Sequence, residues 1–306
     1  MNSRIPAGSV ALVTGSSSGF GLLSCVELAR RGLHVFASMR DLERSGRLDA
    51  AMAAAGVRCD KVQLDVTDPG SIASAMDAIR QTVAGRARDD ARAGDDPENT
   101  GELGVVDVLV NNAGYALAGM IEDVSLDELR EQMETNLFGA VAVAKAVIPG
   151  MRERRRGRII NISSASGRVG QPGLGAYAAS KFALEGLSES LRHELLPHGV
   201  YVVLIEPGMF RTDIFDRNRR VAARTFEPTS PNYDLSLRMK AAIEGRLERT
   251  AGDPRAVAEV VASAALMDRP RLRYPVGWDA ALLDAVGRVM PFGIWERVVG
   301  RVLGRD

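Results

Sequence analysis

Val10-Ala11-Leu12-Val13-Thr14-Gly15-Ser16-Ser17-Ser18-Gly19-Phe20-Gly21 is the stretch that decides the fold. Val10 to Val13 is an apolar run of strand length, the glycine-rich segment reads as a turn, and Leu22, Val26 and Ala29 then recur at helical spacing. Strand, glycine turn and helix together make a dinucleotide site. Glycines let the backbone turn tightly and let a pyrophosphate reach the amides at the positive end of the helix. The spacing here is G-x-x-x-G-x-G, which differs from the common G-x-G-x-x-G fingerprint. Turn glycines before an ordinary core helix would look the same in isolation, so the rest of the chain has to decide.

Downstream, strand and helix patterns alternate. His34 to Ser38, Lys61 to Val66, Val105 to Val110, Arg158 to Ile162, Val200 to Ile205 and Leu272 to Tyr274 read as further strands, with Val10 to Val13 making seven. Helical patterns lie between most of them, so the expected fold is α/β: a doubly wound, Rossmann-type parallel sheet with helices on both faces, in one domain spanning 1–306. Helix starts are marked by Asp68 before Pro69 and by a capping box, Ser125-x-x-Glu128. A long helix from Leu126 toward Met151 carries Asn136. Gly85 to Gly104, acidic and glycine-rich without apolar periodicity, is expected to be an exposed insertion, either an inert loop or a partner-binding one.

Composition excludes several function classes. Hydrophobic residues at 46% and charged residues at 25% are globular values. Lys plus Arg and Asp plus Glu number 39 each, so no global field recruits nucleic acid or an anionic membrane. Cys25 and Cys59 are too few for a disulfide framework or a zinc site, which points to a cytoplasmic setting. Residues Met1 to Ser9 hold no long apolar run, and no stretch reaches transmembrane length. His34, His193 and His198 are scattered without ligand spacing, so no metal is expected. Arg152, Arg154, Arg155, Arg156 and Arg158 follow a helix end, where cations suit dipole and solvent, and no aromatic residue interleaves them as in a nucleic-acid site.

Chemistry is suggested by Tyr177 and Lys181, four residues apart, with Ser164 thirteen positions upstream of the tyrosine. On a helix the two side chains share a face. An ammonium beside a phenol favours the phenolate, bringing a group of reference pKa about 10 toward use as a proton donor or acceptor. Ser163 competes with Ser164, but neighbouring side chains at a strand end point to opposite faces, and the offset to Tyr177 favours Ser164.

With Thr14-Gly15-x-x-x-Gly19-x-Gly21, Asn111-Asn112-Ala113-Gly114, Asn136, Ser164 and Tyr177-x-x-x-Lys181 in this order, the chain from about Val10 to about Gly277 resembles the short-chain dehydrogenase/reductase family. Met39-Arg40-Asp41-Leu42, Ser180-Lys181-Phe182-Ala183-Leu184-Glu185-Gly186 and Leu272-Arg273-Tyr274 make it most like the 17β-hydroxysteroid and retinol dehydrogenase branch. The resemblance implies hydride transfer between a nicotinamide and a carbonyl carbon. In it Tyr177 is proton donor or acceptor, Ser164 hydrogen-bonds the reacting oxygen, and Lys181 supports the tyrosine and the nicotinamide ribose. Asn136 would hold a water connecting Lys181 to solvent, or else simply satisfies local backbone. It also implies a cofactor site of Gly15, Ser17, Ser18, Gly19, Phe20 and Gly21 on the pyrophosphate. Asp65 and Val66 would lie beside the adenine, Asn111, Asn112, Ala113 and Gly114 along the central sheet, and Pro207, Gly208 and Thr212 on the nicotinamide side.

Met39 occupies the position where NAD-type members carry aspartate, and Arg40 follows it. A guanidinium pairs with a 2′-phosphate and stacks on adenine, so NADP (NADPH) is the expected cofactor, with Ser38 adding a hydroxyl. The alternative is NAD, with Asp41 on the ribose diol. Substrate contacts are expected from 167–176, from the loop region 209–250 and from an amphipathic tail over 279–306. Gln171, Leu174, Met209, Phe210, Phe215 and Phe226 are candidate wall residues for a lipophilic ketone or alcohol, steroid-like, retinoid-like or polyketide-like. A non-catalytic NADP-sensing protein is the reading from another class, and the intact Ser164, Tyr177 and Lys181 argue against it. A homodimer or homotetramer built on the helices of Asn136 and Lys181 is implied by the resemblance alone.

Overall fold

Val10 and Leu12 face one side of a sheet while Ala11 and Val13 face the other, and both sides are buried, which is why these strands read as continuous apolar runs. In this computed structural model the described residues are 5–93, 105–211, 219–250 and 252–287, with Gly293, Ile294, Glu296, Arg297 and Gly300. The strands are β1 (Val10–Val13), β2 (His34–Met39), β3 (Asp60–Gln63), β4 (Val108–Asn111), β5 (Ala116–Ala118), β6 (Gly157–Ile162), β7 (Val200–Pro207), β8 (Arg219–Val221) and β9 (Arg273–Val276). The α-helices are α1 (Gly19–Arg30), α2 (Gly46–Ala54), α3 (Pro69–Ala93), α4 (Leu126–Met133), α5 (Gly139–Glu153), α6 (Gly175–Leu195), α7 (Tyr233–Thr250), α8 (Arg255–Leu266) and α9 (Trp278–Gly287).

Seven strands form one parallel sheet in the order β3-β2-β1-β4-β6-β7-β9. One face packs Cys25 and Leu28 of α1, Leu48 of α2 and Val261 of α8. The other packs Ile72 and Ile79 of α3, Val143 and Val147 of α5, and Leu195 of α6. The strand order reverses between β1 and β4, so the loops after these strands part and leave a crevice at their carboxyl ends.

Several local expectations are modified. Residues 85–93 continue α3, because the Ala- and Arg-rich segment favours helix even without an apolar face; 94–104 lies outside the described residues. The segment from Leu126 to Glu153 is α4, a π turn over Glu134–Phe138 and α5 in succession, with the capping box at Ser125 and Glu128 present at its start. β5 and β8 form a separate parallel pair that the sequence did not suggest. The arginine tract is divided: Arg152 and Arg155 are exposed as expected, whereas Arg154 and Arg156 pair with buried Asp107 at 3.4 and 3.3 Å. Arg158 is itself fully buried, donating to the carbonyls of Met267 and Asp268 and lying 4.6 Å from the centre of the Tyr201 ring. Among the described residues no helix is long and apolar enough to cross a membrane.

Candidate active site

The crevice after β1 and β4 is built for close backbone approach. Gly15 has φ 69°, and a Cβ there would lie 2.8 Å from Cα of Ala113; a Cβ on Gly21 would collide with the Gly15 carbonyl and the Asn112 amide. Asn112 fixes this contact by donating through Nδ2 to the carbonyls of Thr14 (2.9 Å) and Gly15 (3.0 Å). Ser18 precedes α1 in an extended conformation and its side chain does not cap the helix, so no side-chain acceptor competes for the first-turn amides. The resulting cleft, of about 540 Å³, is lined by Gly15, Ser17, Ser18, Gly19 and Phe20, by Asp65 and Val66, and by Asn112, Ala113 and Gly114.

At its far end stand Met39, Arg40, Asp41 and Arg44. Gln63 donates to the Arg40 carbonyl at 3.0 Å and so pins the backbone of this corner. Asp41 is partly spent, because its Oδ1 accepts from the Glu43 amide at 3.0 Å. Arg44, in the short 3-10 turn Leu42–Ser45 that follows, is a second cation that sequence reasoning missed; its nearness in sequence to Arg40 was the available signal. Ser38 does not line the cleft: its hydroxyl is fully buried, because alternation along β2 sends it to the face opposite Met39. Gly21 is buried beneath the turn, and Thr212 lies outside the described residues.

A second, largely apolar pocket contains Ser164, Tyr177, Pro207 and Gly208. Ser164 follows β6 and Tyr177 lies in the first turn of α6, and both residues line this pocket. Ser164 Oγ accepts from the Ser166 amide at 3.1 Å, whereas Ser163 is buried with its hydroxyl unpartnered. Lys181 lies one turn beyond Tyr177, with Nζ 5.7 Å from the centre of its ring and 2.8 Å from the Ile162 carbonyl it donates to.

Burial controls the titration of both groups. It pushes the Tyr177 phenol up to about 12, against the lowering effect of the Ser164 hydroxyl. It pulls the Lys181 amine down to about 8, opposed by the negative charge of Glu185. The phenol therefore moves away from neutrality, opposite to the sequence expectation, because loss of hydration outweighs the Ser164 hydroxyl. Asn136, in the π turn, uses its side chain locally: Oδ1 accepts from the Tyr115 amide at 3.1 Å, and Nδ2 donates to the Tyr115 carbonyl (3.0 Å) and to Ser180 (3.1 Å). That is the backbone-satisfying alternative left open by the sequence.

Gln171, Leu174, Met209 and Phe226 line the pocket as expected; Phe210 instead packs edge-on against Phe20 at 5.7 Å, and Phe215 lies outside the described residues. Further walls come from Ala116 and Val221 of the β5–β8 pair, Met239 and Ile243 of α7, and Leu283 of α9. Pairing between segments a hundred residues apart is what local periodicity cannot show.

A parallel sheet with a glycine cradle at its switch point and a buried Ser-Tyr-Lys group beside it defines a nicotinamide-dependent oxidoreductase architecture. The chain belongs to the short-chain dehydrogenase family, whose model matches residues 9–86 and 98–222. The unmatched 87–97 fall inside the segment read as an insertion. The uncharacterized oxidoreductase YusZ of Bacillus subtilis is 37% identical, covering 96% of this chain and 98% of its own. A 3-ketodihydrosphingosine reductase of Bacteroides thetaiotaomicron is 35% identical over 88% and 87%, and human retinol dehydrogenase 8 is 36% identical over 96% and 90%.

Solved structures agree. A short-chain dehydrogenase from Streptomyces avermitilis has TM-score 0.72 at 33% identity, covering 96% of this chain and 98% of its own. A metagenomic short-chain oxidoreductase in complex with NADP has TM-score 0.62 at 27% identity, covering 88% and 97%. For the fold alone, a family member from Burkholderia phymatum in complex with NAD has TM-score 0.74 at 23% identity, covering 95% of both chains. The protein is an enzyme of the short-chain dehydrogenase/reductase type, near the hydroxysteroid and retinol dehydrogenase branch.

Proposed function

We propose that the protein is an NADP(H)-dependent oxidoreductase acting on a lipophilic ketone or the corresponding secondary alcohol. The observation that carries this reading is the meeting of Ser164 and Tyr177, with Lys181 one turn behind, at the wall of an apolar pocket. When bound, the nicotinamide supplies or takes up the hydride. Gly15, Ser17, Ser18, Gly19 and Phe20 would hold its pyrophosphate, with Gly21 allowing the turn to close beneath them; Asp65 and Val66 would border the adenine, and Pro207 and Gly208 would flank the nicotinamide side. Arg40 and Arg44 are the cations placed for a 2′-phosphate, while Asp41, engaged with its own turn, is poorly free for a ribose diol.

Tyr177 passes its proton to the substrate oxygen in reduction and accepts it in oxidation. Ser164 donates to the same oxygen, where negative charge grows in the transition state. Lys181 keeps a positive charge behind the tyrosine, and Asn136 fixes the Tyr115 backbone that lines the cofactor cleft. Met120, Leu174, Met209, Phe226, Met239 and Ile243 give the pocket its apolar lining. Relatives named for ketodihydrosphingosine and for retinol support a lipophilic substrate. Phe138 and Phe182, exposed on the helical segments of Asn136 and Lys181, support a homo-oligomer through that face.

The test is NADPH consumption, followed by absorbance, across long-chain, steroid, retinoid and polyketide-like carbonyls. Consumption with apolar carbonyls and none with sugars or small acids is expected; activity confined to small polar substrates would reject the reading.

A further inference from the structure

One turn beyond Lys181 on α6 lies Glu185, a carboxylate whose side chain is only 6% exposed. It belongs to a secluded ionic cluster drawn from five parts of the chain. Arg273 of β9 reaches Glu185 at 3.0 Å, Glu206 of β7 at 3.3 Å and Glu189 of α6 at 3.0 Å. Arg168, just after the Ser164 turn, lies 3.9 Å from Glu206 and 3.7 Å from Asp284 of α9. Glu206 is only 2% exposed, and one oxygen each of Glu185 and Glu206 makes no hydrogen bond. The Gly167 turn seats against this pair of helix residues: a Cβ there would lie 3.1 Å from Glu185 Cγ and 3.3 Å from Lys181 Cβ.

Lys181 has Tyr177 and Glu185 beside it on α6, and around Glu185 the charged and titratable groups are Arg273, Glu189, Glu206, Arg168 and Asp284, with His193 acting on Glu189. Arg168 and Arg273 face Glu185, Glu189, Glu206 and Asp284, and Glu206 is the most enclosed of the four. Burial and the charge of Glu185 push Glu206 up to about 7. Glu185 is held by Arg273 at 3.0 Å.

We propose that Glu185 is a positioning residue acting through Lys181: its carboxylate, fixed by Arg273, keeps the secluded amine charged behind Tyr177. Without that carboxylate, burial alone acts on the amine, and the donor to Ile162 becomes a neutral group unable to favour the phenolate. The consequence for turnover rests on the function proposed above, whereas the coupling between the two side chains does not.

The protein has four lysines, Lys61, Lys145, Lys181 and Lys240, so its lysine ε-carbons can be followed individually by NMR after 13C labelling. The Lys181 signal is assigned by its loss in Lys181→Met, and neither cofactor nor substrate is needed. The expected midpoint is about 8 in the unaltered protein. In Glu185→Gln it should fall by about one pH unit, in Glu185→Asp it should recover toward the starting value, and in Glu189→Gln it should stay. An unmoved midpoint in Glu185→Gln overturns the proposal.

Should Glu185→Gln fail to fold, the same coupling is read in the unaltered protein. The Glu185 carboxyl carbon must then show an inflection at the Lys181 midpoint, and its absence overturns the proposal equally. In turnover, the alkaline limb of kcat/KM for ketone reduction should move down together with the NMR midpoint. A moved midpoint with an unmoved limb would overturn the role of Lys181 in the chemistry, not the coupling.

Discussion

Lys181 donates to the carbonyl oxygen of Ile162 at 2.8 Å, which ties the helix bearing Tyr177 to the end of the strand from which Ser164 departs. The two hydroxyls are thus held in register by a third residue that lies within the protein rather than on the pocket wall. Positioning is inherited from the sheet itself.

Tyr177→Phe removes one oxygen from a buried phenol on the pocket wall and leaves the cofactor cleft unaltered. Ketone reduction should fall by roughly 10²- to 10⁴-fold. NADPH binding, read by quenching of protein fluorescence, should be nearly unchanged. Undiminished turnover would reject Tyr177 as the proton donor.

Arg40→Ala tests the cofactor assignment. A charge-assisted hydrogen bond contributes about 1.5–3 kcal/mol, so NADPH should bind roughly tenfold to a hundredfold more weakly while NADH is little affected. Arg44→Ala should act in the same direction and less strongly. Equal affinities for the two cofactors before substitution would defeat the assignment.

Glu206→Gln should stabilise the protein at alkaline pH. The carboxyl of Glu206 is raised from 4.5 to about 7, so the folded state holds its proton longer than the unfolded chain. Stability from this group is complete below pH 4.5 and is lost as pH rises through 7, whereas glutamine has nothing to lose. Melting temperatures of the two proteins should converge near pH 5 and differ by a few degrees at pH 8, about 1 kcal/mol, the variant being higher. A lower melting point for the variant at pH 8 would contradict this account.

Gly21→Ala forces a methyl into the Gly15 carbonyl and the Asn112 amide. Backbone on one side and a doubly bonded side chain on the other cannot both yield, so a loss of about 1–3 kcal/mol is expected, together with weakened NADPH binding. Denaturant titration and fluorescence quenching measure the two effects separately.

Phe182→Asp places a charge on an exposed aromatic position of α6. If that face joins copies of the chain, sedimentation should shift from oligomer to monomer with little change in secondary structure. A monomer before substitution would remove the oligomer from the proposal.

Much of the fold was legible because a parallel sheet buried on both faces writes its central strands as apolar runs; all seven strands of the sheet were anticipated, with ends displaced by a few residues. Lys61 to Val66 was expected and Asp60–Gln63 is observed, since the apolar Leu64 and Val66 are buried after pairing with β2 has ended. The juxtaposition of Ser164, Tyr177 and Lys181 was legible from helical spacing and strand parity. What stayed hidden depends on distant partners. Arg219-Arg220-Val221 looks nothing like a strand until it meets Ala116-Leu117-Ala118, and Glu206 looks like one more surface acid until Glu185 and Arg273 close around it. The π turn at Asn136 and the inward rotation of Ser38 likewise escape any periodicity argument.

Asp279 accepts the backbone amide of Met209 at 2.9 Å, so the final described helix is buckled to the floor of the substrate pocket. Asp279 and Leu283 thus supply one wall of that pocket, while Ser164 and Tyr177 come from other elements. A chimaera exchanging the chain beyond Gly277 with a relative should import that relative's taste in carbonyls while hydride transfer proceeds on unaltered machinery.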